Sequence, residues 1–411
     1  MDDQKGPAEI LDPGSPEWRL LKAISRLNLD ERAIVEIKDA LRHKVDWDQV
    51  ILHSRQHGVV GLLYRHLEDH AMGALAPQPV LDKLKNNYMV TIALGMRQFN
   101  QFRQMAEALA AKGVEIMVLK GAVLAEELYS DIGLRPLSDI DILMREEDWP
   151  AAYGVLKNLG YCSPETEFSE IPPKFTHYDV AGHIQYVLPD RTCLEFQFDL
   201  FTLGIGMVDI AGVWERSRQA TVAGVRVRAL SSEDQLLHLA VHANRHGCTK
   251  LKWLVDIYET LRQNSKGLDW DLIAAIASRE KVSASVYSTL THVERFFGER
   301  LIEADNLNKL KPTAYQQMLW QAVWPQSKLD RFEGRVEDGI CFYFYQYFNP
   351  WNLVNFAMMG RVKDKLAYQA RLLVPPLSWM TKTYNKQGSW VLMKYYPLRV
   401  INRGLKKREP R

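Results

Sequence analysis

The segment Val118 to Met144, VLKGAVLAEELYSDIGLRPLSDIDILM, decides how the rest of the chain is read. It contains two short apolar runs. The first ends in Lys120-Gly121, and the second carries Asp139 and Asp141 one residue apart. Alternation in SDIDILM predicts a strand with both aspartates on one face and Ile140 and Ile142 on the other. Between the runs, AVLAEELY has a helical period, so the segment reads as strand, helix, strand.

Two carboxylates about 7 Å apart on one strand face repel each other unless a cation lies between them. Magnesium meets that need, because it takes hard oxygen ligands and shares them between carboxylates and substrate phosphates. The expected cofactor is therefore Mg²⁺, two ions, with Mn²⁺ as a substitute. A strand that ends at glycine and runs into a helix points backbone N–H groups at an anion. Gly121 and Ala122 would supply these amides, Lys120 a point charge, and Arg135 a guanidinium fork for phosphate oxygens. Ser138, beside the acid pair, is a further nucleotide-binding candidate. A third acid is expected from TCLEFQFDL, where Glu195, Gln197 and Asp199 share a face; Glu195, deeper in the strand, is preferred to Asp199.

The rest of the chain organises around this segment. Residues 1–16 are acidic and rich in Pro and Gly, reading as a flexible N-terminus with no secretory signal. Residues 17–113 read as helical, opened by the Ser15-Pro16-Glu17 cap and including a long helix over 81–112. Residues 114–230 form the α/β core, in which 182–200 reads as two strands joined at Pro189-Asp190 and 220–230 as a hairpin around Gly224. Residues 231–300 return to helices that pack on the core, and 301–411 form an aromatic, basic extension. The tripeptide Asp-Trp-Asp occurs at 46–48 and again at 269–271, a weak internal echo.

Bulk properties narrow the class. With 47% hydrophobic and 25% charged residues, the 411-residue chain can bury a large core. Its four cysteines form no CxxC pair, which argues against a zinc knuckle or disulfide framework and for reduced thiols in a cytosol. No apolar run reaches the ~18 residues of a spanning helix. The net charge of +2 hides an asymmetry, since residues 361–411 carry 13 basic against 2 acidic side chains. That run, with Trp351, Trp379, Tyr384, Trp390, Tyr395 and Tyr396, offers weak contact with an anionic membrane surface or nucleic acid, against the alternative of a solvated tail.

The ordered set of motifs resembles the minimal nucleotidyltransferases of the DNA polymerase β superfamily. In particular it resembles the bacterial uncharacterised nucleotidyltransferase family, whose pattern reads LKG-x-x-L-x-x-x-x-Y followed by R-x-x-x-DIDIL. The similarity extends over most of residues 30–300, taking in LEFQFDL and the EDQLLHLAVHANRHG and LKWLVDI helices. It implies an α+β fold with a polymerase β-like mixed sheet flanked by N- and C-terminal helical regions. By position it makes Gly121 the start of the phosphate-holding helix, Asp139 and Asp141 the metal pair, and Glu195 the third acid. The reaction implied is transfer of an NMP from an NTP to an acceptor hydroxyl, releasing pyrophosphate. The acceptor, a small molecule, RNA or a protein, is left open. Two departures bear on activity. Gly121-Ala122 replaces the usual Gly-Gly or Gly-Ser, and Phe196-Gln197-Phe198 stands where a Leu-His-Trp ending is expected.

His238, His242 and His246 recur every fourth residue on one helix, as metal ligands would, but no carboxylate or cysteine joins them at ligand spacing. His238 and His242 are read as cleft-lining candidates, with packing and helix capping as the alternative. Asp256 is read as a buried cap partner or a cleft residue. Two rival functions remain: a catalytically weak module that binds nucleotide or docks a partner, and a membrane-surface accessory of polysaccharide or envelope assembly. The expected location is cytoplasmic, with the inner membrane face as a peripheral site.

Overall fold

The structure is a computed structural model that describes residues 11–69, 72–129, 131–162, 184–190, 192–200, 209–264, 267–280 and 282–323. The basic and aromatic run after residue 323 lies outside the described residues, so the membrane and nucleic-acid expectations attached to it do too. No helix among the described residues is long and apolar enough to cross a membrane.

The fold is α+β, with one mixed six-stranded sheet among helices. The strands are β1 (Met117–Val118), β2 (Ile140–Leu143), β3 (Ile184–Val187), β4 (Cys193–Gln197), β5 (Arg218–Val222) and β6 (Val225–Ala229), in the order β3-β4-β2-β1-β6-β5. β2 runs parallel to β4 and antiparallel to β1, which runs parallel to β6. The outer pairs are the two hairpins expected from the sequence, β3–β4 and β5–β6. The second turns through Ala223 and Gly224, at φ 52° and 79°. Two positive φ values in a two-residue turn match the twist of the strands it joins.

Alternation along the strands divides the core. Val118, Ile140, Ile142, Leu194 and Phe196 face one side, against Phe102, Met105 and Leu109 of the long helix Gln78–Ala110 and against Trp149 and Leu156 of the helix Trp149–Asn158. Met117, Leu119 and Leu143 face the other side, in a core shared with the remaining helices. By the same alternation Asp141 and Glu195 lie on this second face, where the sheet meets a helical wall.

That wall has an internal regularity. Helices Pro16–Ile24, Glu31–Leu41, Trp47–Gln56 and Val60–Asp69 precede the sheet, and Ser232–Arg245, Leu251–Asn264, Trp270–Arg279 and Ser283–Phe297 follow it. In both groups the first helix packs on the second, third and fourth. Each first helix has a serine cap, Ser15 or Ser231, accepting from the N–H three residues on. Each third helix is capped by an aspartate, Asp46 or Asp269, accepting from two amides. A first-turn glutamate of the first helix then accepts from that aspartate's own N–H, Glu17 at 2.7 Å and Glu233 at 3.3 Å. The Asp-Trp-Asp echo is the visible part of a hydrogen-bond set made twice.

Two sequence expectations shift. The strand expected from VEIMVLKG pairs regularly only at Met117–Val118, because the chain already turns at Lys120. Asp139 lies one residue before the β2 ladder, with Asp141 inside it.

Candidate functional site

Lys120 makes the turn between β1 and the helix Gly121–Glu127. Its φ of 48° is one that a residue with a Cβ rarely adopts. The left-handed backbone falls at Lys120 and not at Gly121. Gly121 is needed for space instead. A Cβ there would lie 2.4 Å from Nη1 of Arg135.

The strained turn aims Lys120 back across the sheet, and its Nζ donates to Asp141 Oδ1 at 2.8 Å. The same oxygen accepts from Gln197 Nε2 at 2.7 Å. Asp141 is buried, as are Glu195 and Gln197. Glu195 is the register partner of Asp141 across the parallel β2–β4 pair, so the two side chains share a face on strands about 4.8 Å apart. Asp199 falls beyond the end of β4 and is half-buried. Asp139 is held by Ser138, whose hydroxyl donates to it at 3.1 Å, while Gln98 of the long helix donates to the Ser138 carbonyl at 3.0 Å. Burial, and then the charge of Asp141, push the Asp139 pKa above its ordinary value; Lys120 and Lys252 pull against them.

Arg135 is placed differently from expectation. It lies buried with its Nε and Nη2 on the two oxygens of Asp256, at 3.2 and 2.7 Å, rather than presented to a phosphate. Asp256 also accepts from the Tyr129 hydroxyl at 2.8 Å. Burial acts to discharge Arg135, and the charge and hydrogen bonds of Asp256 overcome it, leaving the net shift upward. Asp256 is therefore a fully buried counter-ion in mid-helix. It ties the second helical group to the loop leading into the acid pair. The next face residue toward the helix start, Lys252, joins the same electrostatic cluster. Sequence reasoning missed it; the signal available was its spacing of four from Asp256 in KWLVD.

Of the histidines, His238 is buried, while His242 and His246 are half-buried and cluster with Trp253. Their rings lie 4.7 Å apart, and each is 5.2 Å from the indole. That arrangement favours the packing alternative for these two over metal ligation. Ala122 is buried in the sheet core.

A divalent cation fits the donor set at the acid pair. Asp141 already holds a cation, the Lys120 ammonium group at 2.8 Å, and Asp139 offers further hard carboxylate oxygens two residues before it. Among the described residues no three His, Cys, Asp or Glu side chains converge as a ligand set.

No curated protein matches the chain, and no solved structure does. The sequence model of a family described as uncharacterised nucleotidyltransferase matches residues 43–298, which span the whole sheet, the acid pair, the last two helices of the first helical group and all four of the second. The chain belongs to this uncharacterised nucleotidyltransferase family.

Proposed function

We propose that this protein is a magnesium-dependent nucleotidyltransferase that moves an NMP from an NTP to a hydroxyl acceptor. One observation carries the reading: on β2 Asp141 accepts from Lys120 on a strained turn and stands in register with Glu195 on the neighbouring strand, with Asp139 two residues ahead of it. Strain of this kind is retained where a fold requires the geometry, and functional sites are where it concentrates. Asp139 and Asp141 would hold the metal, with Glu195 beside them. When bound, magnesium neutralises charge on the triphosphate and favours the ionised acceptor hydroxyl.

The chain's own groups do the rest. Lys120, whose ammonium group lies on Asp141, would meet the phosphates. Ser138 and Gln98 hold Asp139 in position. The acceptor oxygen forms a bond to the α-phosphorus, the bond from that phosphorus to the β-phosphate's bridging oxygen breaks, and pyrophosphate leaves with the electron pair. The acceptor's proton passes to a carboxylate of the site or to water. Small molecules, RNA and protein hydroxyls are all compatible acceptors, and a cytoplasmic setting supplies the NTP.

A second reading has its own observation. With Lys120 already neutralising Asp141, the site is stable without metal and suits a module that only senses nucleotide. Incubation with Mg²⁺, cell extract as acceptor source and each α-labelled NTP separates the two. The enzyme reading expects label transfer that Asp139→Asn with Asp141→Asn abolishes. Tight NTP binding with no transfer by wild type favours the sensing module.

A further inference from the structure

We propose that Lys252 is a second phosphate-binding lysine, holding the nucleotide's triphosphate from the helical wall. This rests on the reading of the chain as an NTP-using protein and names a residue outside the motif-bearing segment. The first ground is how the residue is built in. Lys252 opens the helix Leu251–Asn264, and its N–H donates to the His57 carbonyl at 3.1 Å. Its stem lies on Gly58, where a Cβ would come within 2.7 Å of Lys252 Cδ. Gly58 also sits at φ 72°, so both its conformation and the space above it require glycine. The lysine stem is thus seated on bare backbone and given one direction.

The second ground is what surrounds the ammonium group. Lys252 and Asp256 are four apart, hence on one helix face. Asp256 is committed to Arg135, Lys120 to Asp141, and Lys250 to the Gln56 carbonyl. Lys252 makes no ion pair within 4 Å among the described residues. Asp139 and Asp256 act on its charge from farther away. Burial, and then Arg135, push its pKa down to about 8, against the upward pull of Asp139 and Asp256. A polyanion arriving beside the acid pair would give this ammonium group a direct counter-ion. Asp256, one helical turn on from Lys252, holds Arg135, whose guanidinium lies against Gly121 at the start of the helix Gly121–Glu127, so this helix face is turned to the site.

The test is calorimetric titration of the full chain with each Mg-NTP and with each NMP, alongside thermal melting. Wild type is expected to bind at least one NTP, and Lys252→Ala to weaken that NTP by about tenfold or more, the scale of one charge-assisted contact. Binding of the matching NMP should change less than about twofold, because the lost contact is to the terminal phosphates. If Lys252→Ala does not melt as wild type does, Lys252→Gln, which keeps the stem on Gly58, is read instead. Unchanged NTP affinity in a folded variant overturns the proposal alone, as does an equal loss for NTP and NMP. Wild type that binds no NTP overturns the proposed function and this inference with it.

Discussion

Lys120 occupies a backbone conformation that costs about 1–3 kcal/mol when the residue has a side chain, and the surrounding fold holds it there. The strain is tied to a contact: only a sharp turn returns the ammonium group to Asp141 one strand away. Arg135 and Asp256 show how far a residue's role can lie from its sequence signal. Arg135 has the right type and place for a phosphate ligand, and 121 positions separate it from the carboxylate that claims it. No periodicity or spacing rule connects such a pair. The shared face of Asp141 and Glu195 was legible because strand alternation is a local rule, and the structure sets Glu195 opposite Asp141 in register. The buried ion pair makes a prediction at this scale. Asp256→Ala leaves a buried guanidinium uncompensated and should cost about 3–5 kcal/mol in urea unfolding. A loss below about 1 kcal/mol, the range of an exposed pair, would contradict the role assigned to Asp256.

At the scale of elements, the two groups of four helices share one capping scheme. Asp46 and Asp269 have almost the same backbone angles, φ −80° and ψ 94° against φ −81° and ψ 95°, and both take two amide donors. Only the tripeptide betrayed this in the sequence, because the supporting residues, Glu17 and Glu233, lie 29 and 36 positions away from the caps they support. Loss of either cap, Asp46→Ala or Asp269→Ala, should cost about 1 kcal/mol, and the two losses should add, since the sites share no partner. Chemical denaturation of both single variants and the double variant checks this. Strongly unequal single losses would mean that the matched hydrogen bonds carry different weight in the two groups. The hairpins and helix starts were legible through turn and cap chemistry. The length of β1 was not, because Lys120 is an unusual residue for the conformation that ends it.

At the scale of the whole molecule, the sheet positions the acids and the helical wall supplies their surroundings. The family match begins at residue 43, yet Trp18, Leu20, Leu21 and Ile24 are buried in the same core as the later helices. Leu27 also donates its N–H to Glu259 at 2.8 Å. The helices before residue 43 are therefore part of this core rather than an appendage.

Two histidines of the wall, His292 buried and His57 half-buried with its Nδ1 shielded from solvent, set a pH dependence. Burial lowers the His57 pKa to about 3 and the His292 pKa to about 4. Both stay neutral in the folded chain while the unfolded chain gains protons below its value of about 6.5. Their stability is fully present above that pH and declines as pH falls toward the folded values, each with a slope of up to about 1.4 kcal/mol per pH unit. Unfolding free energies at pH 7, 6, 5 and 4 should fall steeply, and His292→Leu should flatten the curve. A wild-type profile level over that range would refute the neutral-histidine assignment.

The role of the acid pair is tested most directly by calorimetry of Mg-NTP binding. Wild type should bind at least one NTP in the presence of Mg²⁺ and lose that binding on chelation. The chain carrying Asp139→Asn and Asp141→Asn should melt as a folded protein and show no Mg²⁺-dependent binding. Equal binding by the folded double variant would contradict the account, and so would wild type that binds none of the four nucleotides.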